Sequence, residues 1–181
     1  MRAEETHLKD CFVITPEVYL DSRGYFMESF NQETFNQALQ TNTVFVQDNE
    51  SKSSRGVLRG LHLQTGVHAQ AKLVRVTQGS VLDVCVDLRK DSPTFGEHFS
   101  IVLDAIDKKQ LFVPRGFAHG FVVLEDQTVF NYKCDNYYNK ASESGIIYND
   151  ATINIDWNLP EEAFILSDKD LELPTFEKLF K

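Results

Sequence analysis

The segment Gln47–Lys72 reads QDNESKSSRGVLRGLHLQTGVHAQAK, and it places histidines, cations and amides on residues typical of β-strands. Between Ser51 and Leu82 the chain carries no acidic residue, although the whole protein has a formal charge of -9. Positive charge concentrated within an acidic protein predicts a pocket for an anionic ligand. The cations of this stretch are Lys52, Arg55, Arg59, Lys72 and Arg75.

The composition predicts one well-buried core. A chain of 181 residues with 42% hydrophobic and 12% aromatic content is within the usual size of one domain, so we expect a single domain spanning residues 1–181. The acidic balance argues against a nucleic-acid partner, because duplex binding normally requires a broad basic face. A small phosphorylated ligand needs only a few cations.

The cysteines and the N-terminus bear on the cellular compartment. Cys11, Cys85 and Cys134 are odd in number, lie far apart and lack a C-x-x-C spacing, which predicts reduced, buried thiols. The first ten residues lack the apolar core of a signal peptide, and no run of about 18 apolar residues occurs in the chain. We expect a cytoplasmic protein with no membrane partner.

Short β-rich runs recur through the middle of the chain. In Val81–Leu88, apolar residues alternate with Asp83 and Asp87, which predicts a strand with one buried face. Gln78-Gly79-Ser80 before it predicts a hairpin turn. The other predicted strands are Val44–Val46, Val57–Leu63, Leu73–Val76, His98–Leu103, Leu111–Val113, Phe121–Leu124 and Val129–Lys133.

Helical signals are few. Asn31–Leu39 predicts one capped amphipathic helix, and Thr175–Leu179 a second, short one. Many short strands without alternating helices favour an antiparallel β-sandwich or barrel over a parallel α/β sheet. The fold class is therefore mainly β, with a few short helices.

Two histidines stand in motifs that resemble those of the cupin jelly roll: His62 in a G-x-H-x-Q spacing, and His119 in P-x-G-x-x-H. In cupins these positions commonly supply metal ligands. Here Gln64 replaces a second histidine and Lys72 replaces a carboxylate, and an ammonium group offers no lone pair to a cation. We expect neither a metal nor another cofactor.

Without a metal, the same residues form a set suited to proton transfer. Imidazole accepts a proton near neutral pH, and a fixed Lys or His can stabilise an oxyanion that develops on a carbonyl. For His62, a structural hydrogen-bonded role is the alternative. Gly60, which permits close approach of a ligand or strand, and the nearby charge of Arg59 favour a functional role.

Tyr132 lies in an aromatic cluster that runs from Phe130 to Tyr138. Tyrosines in strands usually serve packing. A phenol among Lys133 and other cations could nevertheless act as a proton donor, because positive neighbours favour the phenolate that it leaves behind.

Ordered motifs along nearly the whole chain resemble the dTDP-4-dehydrorhamnose 3,5-epimerase family. They include an early segment, DSRGYFMESF, and a set of later motifs. The later motifs are QDN (Gln47–Asn49), GVLRGLHLQ (Gly56–Gln64), KLVRV (Lys72–Val76), PRGFAHGF (Pro114–Phe121), YKC (Tyr132–Cys134) and LSDKD (Leu166–Asp170).

The resemblance implies a cupin-type jelly-roll homodimer that inverts C3 and C5 of dTDP-4-dehydro-6-deoxy-glucose. It implies His62 as general base, Asp170 as its orienting carboxylate, Tyr132 as acid and Lys72 as holder of the enolate oxygen. Asp168 is an alternative partner for His62, because it lies in the same short motif.

For the nucleotide sugar, the resemblance implies further binding residues, with Tyr138 stacking on thymine. It also implies that the segment Arg23–Glu28 reaches the neighbouring subunit's site. Arginine suits a pyrophosphate because its planar fork donates paired hydrogen bonds. The implied binding residues are Arg23, Phe26, Glu28, Gln47, Asp48, Asn49, Arg59, His119, Tyr138, Glu143 and Lys169.

Three other functions stay open at the level of sequence. The first is a nucleotide-sugar mono-epimerase or 3,4-ketoisomerase on the same scaffold. The second is a sugar-nucleotide binder without catalysis, and the third is a metal-dependent cupin.

Overall fold

The computed structural model describes residues 1–180, which form thirteen β-strands, three α-helices and three 3₁₀ turns. The strands are β1 Arg2–Glu5, β2 Phe12–Thr15, β3 Val18–Asp21, β4 Gly24–Met27, β5 Gln47–Ser53, β6 Leu58–Gln64, β7 Lys72–Gln78, β8 Ser80–Asp87, β9 His98–Asp104, β10 Gln110–Val113, β11 Phe117–Val123, β12 Thr128–Cys134 and β13 Glu143–Gly145. The α-helices are α1 Gln32–Leu39, α2 Asp168–Leu171 and α3 Phe176–Phe180; the 3₁₀ turns are Gly66–His68, Lys140–Ser142 and Glu161–Ala163.

Two antiparallel sheets form a sandwich, as the strand pattern predicts. The six-stranded sheet has the order β1-β2-β10-β7-β12-β5, and the five-stranded sheet has the order β13-β6-β11-β8-β9. Between them lies a core that includes Val74 and Phe130 from one sheet and Val81, Phe117 and Phe121 from the other. The strands β3 and β4 form a separate two-stranded hairpin.

Each sheet is also covered on its outer face. Helix α1 packs Phe35 and Leu39 against Leu73 and Phe112 of the six-stranded sheet. The chain after β13 covers the five-stranded sheet with a second apolar cluster that includes Trp157. Within residues 1–180, no helix is long and apolar enough to span a membrane.

The predicted hairpin at Gln78-Gly79-Ser80 is wrong. Strand β7 pairs with β10 and β12, whereas β8 pairs with β11 and β9, so Gly79 carries the chain from one sheet to the other. The two strands are close in sequence without being hydrogen-bonded neighbours, and a local turn signal does not separate these two outcomes.

Strand β8 also departs from the prediction of one buried face. All of Ser80–Asp87 is buried, including Asp83 and Asp87. The opposite sheet covers one face of this strand and the C-terminal layer covers the other. Both carboxylates therefore need internal partners, and they find them in His119 and Arg89.

The helix predictions are confirmed within one residue at each end. Asn31 caps α1, because its side-chain oxygen accepts hydrogen bonds from the backbone N–H groups of Glu33 and Thr34. The strand predicted at Val44–Val46 is wrong, since regular pairing begins only at Gln47. The three cysteines are free and buried, as expected.

Candidate active site

A cavity of about 290 Å³ is lined by residues of both sheets. It brings together His62, Lys72, Tyr132 and Asp170, which the sequence motifs assign to catalysis. His62 stands on β6 of the five-stranded sheet, whereas Lys72 and Tyr132 stand on β7 and β12 of the six-stranded sheet. The other lining residues are Glu50, Ser51, Arg59, His119, Phe121, Phe130, Ser167 and Lys169.

His62 is paired with a carboxylate. Its Nε2 lies 2.8 Å from Oδ1 of Asp170, which is almost fully buried. Nε2 has no partner at hydrogen-bond geometry, so the carboxylate and the ring make a close electrostatic contact and not a linear hydrogen bond. With Nε2 facing an anion, Nδ1 is the ring nitrogen whose lone pair can accept a proton.

Asp170 is fixed by the start of helix α2. Its Oδ2 accepts a hydrogen bond of 2.5 Å from the Ser167 hydroxyl in a capping box, and its Oδ1 accepts one of 3.2 Å from the Gly60 N–H. Burial raises its pKa, but His62 and Ser167 outweigh burial and hold it at about 2. Asp168 is exposed, so the structure places Asp170 beside His62.

Two glycines bring strand β6 close to its neighbour β11. His62 on β6 pairs in register with His119 on β11. Gly60, with a φ of +134°, faces Gly120, and a Cβ at position 60 would lie 2.5 Å from the Gly120 Cα. Gly60 therefore permits the approach of another strand, one of the two roles considered from the sequence.

His119 has its own carboxylate. Its Nε2 lies 3.0 Å from both oxygens of Asp83, which is fully buried on β8. Burial raises the pKa of Asp83, and the neighbouring His119 and Lys72 oppose that rise. Sequence reasoning missed Asp83 because its alternation with apolar residues was taken as exposure. The sequence carried no signal for this role, because the burial of the second face of β8 depends on the distant C-terminal layer.

Lys72 begins β7 and its ammonium lies near His62. Its Nζ is 3.5 Å from the main-chain oxygen of His62. Burial lowers the pKa of Lys72, whereas Cys134, Asp83 and Glu143 act in the opposite direction. A partly desolvated ammonium in such a cavity can stabilise a developing oxyanion more strongly than a solvated one.

Tyr132 is half-buried on the wall opposite His62. Burial and Cys134 raise the pKa of its phenol, and Arg59 acts against them. Lys133 points to the other face of the strand, where its Nζ lies 2.8 Å from Oδ1 of Asp48. The sequence argument that Lys133 favours the phenolate is therefore wrong, and Arg59 is the cation that affects this tyrosine.

Several of the residues assigned to the nucleotide are linked at one edge of the cavity. The Tyr138 hydroxyl donates a 2.9 Å hydrogen bond to Glu143, which also forms an ion pair with Lys169. Burial raises the pKa of Glu143, but Lys169 and Tyr138 lower it further than burial raises it. Gln47 accepts a 3.4 Å hydrogen bond from the Tyr138 N–H and donates one to Asn49.

Other assigned residues lie outside this cavity. Asp48 is exposed on the outer face of its sheet, paired with Lys133. Arg23 and Phe26 stand on the β3–β4 hairpin, where Arg23 pairs with Asp21 and Phe26 is 68% exposed. Glu28 follows the hairpin and accepts a hydrogen bond from Asn31.

The positions that commonly supply metal ligands in cupins have other contacts in this structure. Gln64 is buried, and its side-chain oxygen accepts a 2.9 Å hydrogen bond from the Asn139 N–H. Within residues 1–180, no group of three or more His, Cys, Asp or Glu side chains is arranged to hold a metal ion. The donor set of the cavity suits proton transfer better than metal binding.

The fold and this cavity define a cupin-type β-sandwich with a proton-transfer site of the kind that isomerases use. The sequence profile described as dTDP-4-dehydrorhamnose 3,5-epimerase matches residues 5–178. The chain belongs to the dTDP-4-dehydrorhamnose 3,5-epimerase family. It is 51% identical over 171 residues to the Shigella flexneri enzyme of that name. That match covers 94% of this chain and 93% of the Shigella protein.

Solved structures agree with this assignment. The dTDP-4-dehydrorhamnose 3,5-epimerase from Elizabethkingia anophelis superposes with a TM-score of 0.95 at 55% identity, over 98% of this chain and 97% of that one. The Legionella pneumophila dTDP-6-deoxy-D-glucose-3,5-epimerase, in complex with dTDP-4-keto-L-rhamnose, gives a TM-score of 0.93 at 43% identity. That match covers 97% of this chain and 93% of the Legionella chain.

Proposed function

We propose that this protein is the isomerase that converts dTDP-4-dehydro-6-deoxy-D-glucose to dTDP-4-dehydro-L-rhamnose by inverting C3 and C5. Family membership and the product-like sugar carried by the Legionella relative support this reaction. The observation that carries the mechanism is the placement of His62 and Tyr132 on opposite walls of one cavity. A sugar ring between the two sheets would have a base on one face and an acid on the other.

His62 is the general base in this mechanism. A proton on C3 or C5 is acidic because the C4 ketone can accept the electron pair as an enolate. Nδ1 of His62 takes that proton, and the resulting imidazolium is stabilised by the Asp170 carboxylate 2.8 Å from Nε2. Since the pKa of Asp170 is held at about 2, the carboxylate is ionised throughout the neutral range.

Lys72 and Tyr132 complete each inversion. The Lys72 ammonium donates to the oxygen that becomes negative when the C–H bond breaks. Tyr132 then returns a proton to the carbon from the opposite face, which inverts the centre. Because burial raises the pKa of its phenol, Tyr132 carries its proton at neutral pH. Solvent exchange returns both groups to their starting protonation states.

The dTDP end of the substrate is bound at the edge of the cavity. Tyr138 offers a half-exposed ring for the thymine, and the linked pair Glu143 and Lys169 lies beside it. Arg59 and His119 line the cavity on the side of the five-stranded sheet, where they suit the diphosphate. Gln47 and Asn49 support the same edge.

The β3–β4 hairpin completes the site of a second subunit in a homodimer. The hairpin exposes several large apolar side chains on one small element. Such an apolar patch is typical of a surface that another protein covers. Neither Arg23 nor Phe26 lines the cavity of its own chain, which leaves both available to the site of a neighbouring subunit. The exposed large side chains are Tyr19, Leu20, Tyr25 and Phe26.

The decisive experiment is turnover of dTDP-4-dehydro-6-deoxy-D-glucose in heavy water, with NMR of the product. Double epimerisation places deuterium at both C3 and C5. Deuterium at C3 alone would make the protein a mono-epimerase, and movement of the carbonyl would make it a ketoisomerase. Binding without exchange would leave only the non-catalytic alternative, and activity that requires an added transition metal would favour the metal-dependent one.

A further inference from the structure

His68 lies outside the catalytic cavity, and both of its ring nitrogens are engaged by one short segment. Nδ1 is 2.8 Å from the Ser142 hydroxyl, and Nε2 is 3.3 Å from Nδ2 of Asn139. The segment Asn139–Ser142 connects Tyr138 to Glu143, two residues proposed to hold the nucleotide. His68 therefore contacts the element that carries them without lining the cavity itself.

The hydrogen bonds around Asn139 determine the tautomer of His68. Oδ1 of Asn139 accepts a 2.9 Å hydrogen bond from the Ala141 N–H, so its amide nitrogen is the atom that faces His68. An amide nitrogen only donates, so Nε2 of His68 must accept. The ring proton then resides on Nδ1 and is donated to the Ser142 hydroxyl. The arrangement requires a neutral imidazole with its proton on Nδ1.

Other bonds tie the same two segments together. The N–H and the hydroxyl of Thr65 both donate to the Ser142 carbonyl, at 2.8 and 3.2 Å. The Asn136 amide donates to the Val67 carbonyl at 3.0 Å. Thr65–His68 follows directly after β6, the strand that bears His62, and β13 pairs Gly145 with His62. The contacts thus join the strand of the base to the segment of the nucleotide.

We propose that His68 is a positioning residue for the nucleotide end of the substrate. Its neutral ring locks Asn139–Ser142, which holds Tyr138 and Glu143 at a fixed place relative to His62. This inference rests on the proposed function, because it takes Tyr138 and Glu143 to bind the dTDP moiety. It assigns to His68 an effect on affinity and none on the chemical step.

The test compares His68→Ala, His68→Asn, Ser142→Ala and the double variant His68→Ala/Ser142→Ala in calorimetric titration with dTDP and in steady-state kinetics. His68→Ala should weaken dTDP binding and raise KM by about three- to tenfold, the effect of one or two lost hydrogen bonds, with kcat unchanged. Asparagine can present an N–H near the position of Nδ1, so His68→Asn should recover most of the lost affinity. The double variant should bind no more weakly than His68→Ala, because both changes remove the same interaction.

Two reference variants separate the possible failures. Exposed His7 lies away from the site, and His7→Ala should bind dTDP like the wild type. Tyr138→Ala should weaken dTDP binding directly. If Tyr138→Ala weakens binding and His68→Ala does not, the role of His68 is refuted while the nucleotide site stands. The same holds if the effects of His68→Ala and Ser142→Ala add in the double variant. If Tyr138→Ala binds dTDP normally, the proposed nucleotide site is refuted, and the inference falls with it.

Discussion

His62 and His119 are cross-strand partners on β6 and β11, and each imidazole is held by a different buried carboxylate. Asp170 reaches His62 from helix α2, whereas Asp83 reaches His119 from the central strand β8. Two histidines of similar sequence context therefore stand in different electrostatic surroundings. Burial raises the pKa of both carboxylates, but His62 and Ser167 outweigh it at Asp170, whereas at Asp83 burial outweighs His119 and Lys72.

Replacing His62 by Ala should lower kcat by about 10²- to 10⁴-fold, because the reaction loses its general base. The melting temperature should also fall, because the buried Asp170 carboxylate loses its partner. Steady-state assays with calorimetric melting measure both. His7→Ala is the matched control and should retain full turnover. A variant at position 62 with wild-type kcat would remove His62 from the mechanism.

Asp170→Asn should reduce stability at neutral pH in a pH-dependent way. The pKa of Asp170 is about 2 in the folded protein against 3.8 ordinarily, so its contribution to stability is present above 3.8 and is lost as the pH falls towards 2. Urea unfolding of both proteins at a series of pH values should show a difference at pH 7 that narrows below 3.8. A difference independent of pH would mean that the charge of Asp170 does not stabilise the fold.

Tyr132→Phe should separate proton removal from inversion. Turnover should fall by about 10²-fold or more because the acid is lost, while His62 continues to exchange substrate protons with solvent. NMR in heavy water should then show deuterium in unconverted substrate. Exposed Tyr137 offers the control, and Tyr137→Phe should turn over normally. Full turnover by Tyr132→Phe would place the acid elsewhere.

Asp83→Asn should lower activity without lowering stability. The raised pKa of Asp83 means that folding disfavours its ionised form. The charge at neutral pH therefore lowers the free energy of unfolding. Asparagine keeps an acceptor for the Nε2–H of His119 and removes the charge. We expect an equal or higher melting temperature together with a reduced kcat/KM. A marked loss of stability would show that the Asp83 carboxylate is chiefly structural.

The hairpin proposal predicts complementation between two inactive variants. In a mixed dimer of His62→Ala and Arg23→Ala chains, one site has an intact base and receives an intact Arg23 from the other chain. Random exchange of subunits should restore about a quarter of the wild-type sites. Activity after co-refolding measures this recovery, and a dimer should be evident by sedimentation. No recovery in a proven mixed dimer would place Arg23 in the site of its own chain.

The sequence identifies side chains better than it identifies their surroundings. His62, Lys72, Tyr132 and Asp170 meet around one cavity, as the motifs imply, because three stand on strands that line it and helix α2 brings Asp170 to β6. The choice between Asp168 and Asp170 depends on which side of the four-residue helix α2 faces β6, and sequence spacing leaves both open. The cap at Asn31 is local, and it was predictable for that reason.

The wrong predictions concern which strands pair and which faces of a strand are covered. Gly79 looks like a hairpin residue because a turn signal is the same whether the next strand pairs or crosses over. Asp83 looks exposed because alternation does not reveal that a second layer covers the other face. Lys133 looks like a neighbour of Tyr132, yet adjacent strand residues point to opposite faces. The outcomes at Gly79 and Asp83 depend on layers that are distant in sequence, whereas that at Lys133 follows from local strand geometry.

The close contact of Gly60 with Gly120 has a consequence for redesign of this enzyme. Because a Cβ at position 120 would lie 2.7 Å from the Arg59 carbonyl oxygen and 3.0 Å from the Gly60 Cα, the main chain alone sets the separation of the two imidazoles. A side chain at either glycine would force β6 and β11 apart, so substitutions there would disrupt the backbone before they changed the pocket. New sugar specificities are better sought at Ser51, which lines the cavity from the edge strand β5 and lies outside the buried core.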